Sequence, residues 1–159
     1  MGRLAALVLL PALWACDSQV AEPAPLRTRI FLVASADGQP LPAQHDCPAP
    51  QEGMVAGARF VEGELVLYPQ QNYTWRYTIQ QYMTVGGSEQ VWEEPVTIQG
   101  TYALRGDSLD LVLPDDGTRT GRISGDVVEL SEYVPCPFGE VDGTPHSAAL
   151  QLAEVDAAD

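Results

Sequence analysis

The chain has 159 residues, 45% of them hydrophobic, which is enough for one buried core and one domain. Its 22 acidic residues face 8 basic ones, all arginine, for a formal charge of −14. That sign excludes nucleic acid, whose phosphates need a basic surface, while an acidic surface aids solubility and would attract a cationic partner.

The chain opens with Met1-Gly2-Arg3, a short positive segment, and continues with an apolar run from Leu4 to Leu13. At about ten residues this run is too short to cross a bilayer, which takes about twenty, and it fits a removable export signal. Leu13-Trp14-Ala15-Cys16 follows. It resembles the lipobox of bacterial lipoproteins, in which a small residue precedes the cysteine and an aliphatic residue stands three before it. The resemblance implies a signal peptide over residues 1–15, cleavage before Cys16, and lipid, palmitate included, on that cysteine. An ordinary secretory signal, with Cys16 in a disulfide, is the alternative. Residues 16–26 are polar and proline-containing and read as a tether, reaching roughly 30 Å when extended. The expected location is the cell envelope, on a bacterial membrane and facing the periplasm or the exterior.

From residue 27 onward the dominant hydrophobic period is two, with turn residues at short intervals, the pattern of an all-β domain over 27–159. Ile30 to Ser35 is a β-rich run ended by Asp37-Gly38, and a proline- and glycine-rich loop is expected from Gln39 to Gly53. Met54 to Val61 and Glu64 to Tyr68 read as two strands. Tyr73, Trp75, Tyr77 and Ile79 alternate with polar residues, the clearest half-buried strand. After Gly86-Gly87, a long strand carries Val96, Ile98, Tyr102 and Leu104 on one face, with Pro95 marking a kink or an edge. Leu109, Leu111 and Leu113 share a face, and Asp115-Asp116-Gly117 turns the chain. Thr118 to Ile123, Val127 to Tyr133 and Ala148 to Val155 complete the set; the last also fits a short helix.

A weak repeat puts a Gly-acid pair between two strands at Gly63-Glu64, Gly106-Asp107 and Gly125-Asp126, so sequential antiparallel hairpins are expected at all three. About eight such strands leave an edge problem that closure into an up-and-down barrel removes. The stretch from Gly100 to Leu111, with the opening Phe31 to Pro42, is similar to the small lipocalin-like lipoproteins of bacteria. The resemblance implies a small lipocalin-like β-barrel that could hold a small hydrophobic ligand. The Gly-x-Trp signature of true lipocalins is missing from the first strand.

With Cys16 assigned to lipid, Cys47 and Cys136 remain, and in an exported chain they are expected to pair. A competing reading joins them with His45 and His146 as tetrahedral zinc ligands, although the spacings do not resemble a structural zinc motif. No cofactor is expected. No nucleophile elbow, His-Glu-x-x-His pair, phosphate loop or dinucleotide fingerprint occurs, so the expectation is a protein that is not an enzyme.

Three readings of function follow. The first is an envelope structural or interaction lipoprotein without a cavity, held to the membrane through Cys16. The second is a carrier of a small hydrophobic ligand lined by Phe60, Tyr73, Trp75, Tyr77, Trp92 and Tyr102; the same aromatics would otherwise fill the core. A minor third is an inhibitor of a cationic hydrolase, and a cationic envelope protein is the partner the charge suits.

Overall fold

The computed structural model describes residues 27–49, 51–115, 117–138 and 146–156. The signal segment 1–15, Cys16 and its tether, and Asp116 of the expected turn lie outside the described residues.

The described residues form strands and turns, and no helix occurs among them. The strands are β1 (Arg29–Ala36), β2 (Gln39–Pro40), β3 (Ala43–Cys47), β4 (Val55–Leu67), β5 (Asn72–Val85), β6 (Ser88–Arg105), β7 (Ser108–Val112), β8 (Thr118–Ser124), β9 (Val127–Tyr133) and β10 (Ser147–Val155). The C-terminal segment is therefore a strand; its Ala148, Leu150 and Leu152 are buried at every second position.

Neighbouring strands pair antiparallel in the order β1-β10-β9-β8-β7-β6-β5-β4, and β1 returns to pair with β4. This closes an eight-strand up-and-down barrel. Closure rests on β1, whose Phe31 lies opposite Glu154 of β10 on one side and Leu65 of β4 on the other. A sheet closed this way has no edge along the closed stretch. The disulfide does not form the closing ladder.

Two expectations about the first half of the domain need correction. Gln39 to Gly53 is not wholly loop, because β2 folds back to pair with the end of β1 and β3 lies along the first half of β4. The sequence of β3, Ala-Gln-His-Asp-Cys, has no β-branched residue, so its extended form comes from pairing with β4 rather than from local preference. Nor does Gly63-Glu64 make a hairpin. Met54 to Tyr68 contains one strand, β4, bulged between Phe60 and Glu62, and Gly63 sits inside it opposite Tyr77. A Cβ on Gly63 would come within 2.7 Å of Val33 Cγ2 and 2.9 Å of the Trp75 ring. Glycine stands there to let the Trp75 ring approach the backbone. The other two members of the repeat do turn, with Gly106 at φ 61° and Gly125 at φ 58°.

The inward faces meet in one hydrophobic cluster. It joins Phe31 and Val33 of β1, Phe60 and Leu65 of β4, the Tyr73 to Ile79 ladder of β5, and leucines of β7, β9 and β10. Each side chain is inward because its strand alternates; at about 1.5–3 kcal/mol per buried large apolar side chain, this burial dominates the fold.

β4, β5 and β6 outrun their neighbours. β6 pairs with β5 along Ser88–Thr101 but with β7 only along Thr101–Arg105, so the β5–β6 hairpin rises past the wall as an arm. Toward the tip of this arm, where Cys47 lies opposite Ala56 and so in line with Met83 and Gln90, the Cys47–Cys136 disulfide ties β3 to the segment after β9, across a sequence separation of 89.

Candidate functional site

The inward positions of β9 are Val128, Leu130 and Glu132, so strand alternation carries an acid into the barrel. Glu132 is only 2% exposed. Its Oε2 accepts a hydrogen bond from Trp75 Nε1 at 2.8 Å and one from Arg119, and its Oε1 accepts from the Tyr77 hydroxyl at 3.3 Å and the Tyr133 amide at 3.1 Å. Each carboxylate oxygen thus has more than one donor, as a buried acid requires. Burial pushes the Glu132 carboxyl above the ordinary glutamate range, against the opposing pull of the Arg119 guanidinium and the hydrogen bonds. The same burial, with the Glu132 charge beside it, pushes the Tyr77 phenol up as well.

Arg119 comes from β8, where it shares the inward face with Gly121 and Ile123. The β8–β9 ladder runs only from Arg122 opposite Glu129 to Ser124 opposite Val127. Continued in the same register, it would set Arg119 opposite Glu132. The ion pair therefore crosses the seam where the backbone ladder stops, holding the two strands together through side chains. Next to the seam, a Cβ on Gly121 would lie 2.6 Å from the Glu129 carbonyl oxygen, so only glycine permits that approach.

Outside the seam a cleft of about 720 Å³ lies between Thr97, Ile98 and Gln99 of β6 and Leu113, Pro114 and Asp115 of the β7–β8 turn, with Arg119 on its wall. Arg119 is 27% exposed and so links the interior acid to this cleft.

The expected lining residues divide. Phe60, Tyr73, Trp75, Tyr77 and Tyr102 are buried in the core cluster. The Phe60 and Tyr77 rings stack at 5.5 Å and those of Trp75 and Tyr77 lie 5.2 Å apart, packed on one another. Tyr102 donates to the Tyr68 carbonyl at 2.8 Å. Trp92 is not with them. It is 45% exposed on the arm, opposite Gln81, beyond the level where β7 walls the barrel. Glu132 and Arg119 escaped the sequence reading, although the inward parity of β8 and β9 marks both positions.

Cys47 and Cys136 are joined, so neither can offer a thiolate and the four-ligand zinc reading is overturned. His45 lies on β3 rather than in a loop. Its ring meets that of His146 edge-on at 5.6 Å, its Nδ1 is 3.6 Å from Asp37 Oδ2, and the Nε2 atoms of both histidines are buried without a partner. Among the described residues no group of three or more His, Cys, Asp or Glu is placed to hold a metal ion.

Searches of family models, curated proteins and solved structures return no match to this chain.

Proposed function

We propose that the chain is a lipid-anchored envelope lipoprotein that works as a non-enzymatic interaction module, presenting the β5–β6 arm to a partner. The observation that carries this reading is the contrast between the two ends of the aromatic set. The barrel interior is occupied by packed rings and the Glu132–Arg119 pair, while on the arm Val85 and Trp92 stand exposed on one face and Val91 on the other. Large apolar side chains left exposed on a projecting element are what an interaction site presents. The Cys47–Cys136 disulfide agrees with an oxidising, exported location. The anchor rests on Leu13-Trp14-Ala15-Cys16.

Intact-mass measurement of the natively expressed protein tests the anchor. A chain beginning at a diacylglyceryl-modified Cys16 is expected; an unmodified Cys16 or a Met1 terminus would sink that part. The module is tested by a photoreactive residue at Trp92, compared in cells with one at exposed Glu129 on the barrel wall. A discrete adduct formed from the Trp92 position alone is expected, and equal labelling from both positions counts against the arm.

The cleft beside Arg119 favours a second reading, a carrier of a small hydrophobic ligand. Its volume, about 720 Å³, lies in the range of ligand sites, and Ile98, Leu113 and Pro114 give it apolar walls. Native mass spectrometry of the full chain distinguishes the two: a co-purified small molecule supports the carrier, and a ligand-free species supports the module.

A further inference from the structure

One stretch of the sheet keeps half of its backbone hydrogen-bonding groups free. Among the described residues, no strand pairs with the outer side of β6 over Ser88–Gly100. In a two-residue hairpin the residues flanking the turn bond to each other, so Ser88 points its amide at Val85 of β5. Alternation then turns Gln90, Trp92 and Glu94 toward β5 and Glu89, Val91 and Glu93 away from it. Tyr102, of the same parity as Ser88, does donate to the Gln71 carbonyl on the β5 side. Pro95 falls in the outward set, where its missing N–H breaks no ladder bond.

The outward groups are accessible, since every residue from Ser88 to Pro95 is exposed. Val91 is 47% and Trp92 45% exposed, one on each face of the strand. A free edge flanked by apolar side chains is a template for a further strand.

Charge decides what that strand can be. Glu89, Glu93 and Glu94 lie within this stretch, and it holds no basic residue. Glu89 already meets Arg59, but Glu93 and Glu94 are met only by the neutral amides of Gln80 and Gln81. A second copy of the chain pairing edge to edge would bring these carboxylates against their own kind, which opposes self-association. A strand bearing arginine or lysine would instead be attracted.

We propose that the Ser88–Glu94 edge of β6 is the docking site for an extended segment of a cationic protein. The segment adds as a strand, with basic side chains on the face of Glu89 and Glu93 and apolar ones on the opposite face, against Trp92. This rests on the interaction-module reading and names the class of its partner.

The test uses the full-length lipoprotein in neutral detergent and a short synthetic peptide alternating arginine and valine, with residue-resolved amide hydrogen exchange as readout. The expected result is exchange slowed about tenfold or more at Glu89, Val91 and Glu93, with Gln90 and Trp92 unchanged because their amides are already paired. The same peptide with glutamate for arginine should leave all of them unchanged. Val91→Pro removes one outward N–H without touching the β5 ladder, and Glu93→Arg reverses the charge; each should weaken peptide binding about tenfold. Retained protection at Gln90 and Trp92 reports that Val91→Pro still folds, and if it does not, Glu93→Arg alone decides. No binding, binding without the alternating protection, or undiminished binding by Glu93→Arg overturns the edge site. None of these touches the interaction module itself, which fails separately if labelling from Trp92 and Glu129 is equal.

Discussion

Replacing Glu132 by leucine isolates what the interior acid does. The change leaves the Trp75 indole N–H, 1% exposed, and the Tyr77 hydroxyl without their acceptor. Each stranded buried donor costs about 1–3 kcal/mol. Arg119 is released too, but at 27% exposure it can turn into the cleft and be solvated, so its loss adds little. Against this, leucine removes the cost of burying a carboxylate and adds apolar burial. The balance is a loss of about 2–3 kcal/mol. Glu132→Gln keeps the shape and an acceptor oxygen, and is expected to lose only about 1 kcal/mol. For a domain of this size about 1 kcal/mol moves Tm by roughly 4 °C, so the leucine variant should melt roughly 8–12 °C below the native protein and the glutamine variant roughly 4 °C below. Urea unfolding followed by both tryptophan fluorescence and circular dichroism measures the difference, and coincidence of the two signals checks two-state behaviour. A leucine variant as stable as the native protein would refute the reasoning, since the donors of Trp75 and Tyr77 would then not depend on this acid.

The raised Glu132 carboxyl implies a pH dependence of definite sign. A folded-state pKa above the unfolded value of about 4.3 contributes stability that is complete below that value and is lost as pH rises through the folded pKa. Native protein should therefore gain on Glu132→Gln as pH falls from neutrality toward about 4.3, and a difference independent of pH would contradict the assignment. Arg119→Leu removes the cation opposing the shift, so its destabilisation at neutral pH should shrink on acidification, as pH-resolved urea titrations would show. Gly63→Ala forces a Cβ to within 2.7 Å of Val33 Cγ2 and should cost about 1–3 kcal/mol by overpacking, measurable as a lower urea midpoint at unchanged slope. Replacing Cys47 and Cys136 together by alanine opens a loop of 89 residues and should cost about 4–5 kcal/mol on the chain-entropy account; a loss below about 1 kcal/mol would mean that the reduced chain is held by the same contacts.

Strand alternation in the sequence determined most of the architecture of this protein. The Tyr73–Ile79 ladder and the hydrophobic faces of β6, β7 and β9 show the period of two directly, and Gly106-Asp107 and Gly125-Asp126 turn as their residue types demand. The Cys47–Cys136 pair was readable from cysteine count and expected export. These features are local or arithmetic, so they survive without knowledge of what lies across the sheet. The rest depends on neighbours distant in the chain. Gly63-Glu64 has the same local form as the two true turns, yet stays extended because β4 pairs there with β5 on one side and β1 on the other, and the residue is glycine because the Trp75 ring and Val33 fill the space of a Cβ. β3 is a strand because β4 pairs with it, and Trp92 leaves the aromatic set because β7 stops short of it. Alternation could assign Glu132 and Arg119 to the interior, but only the register across the β8–β9 seam set one opposite the other. Side-chain parity is a property of a single strand, whereas pairing, closure and the end of a ladder are properties of two, and so tertiary structure alone decided them.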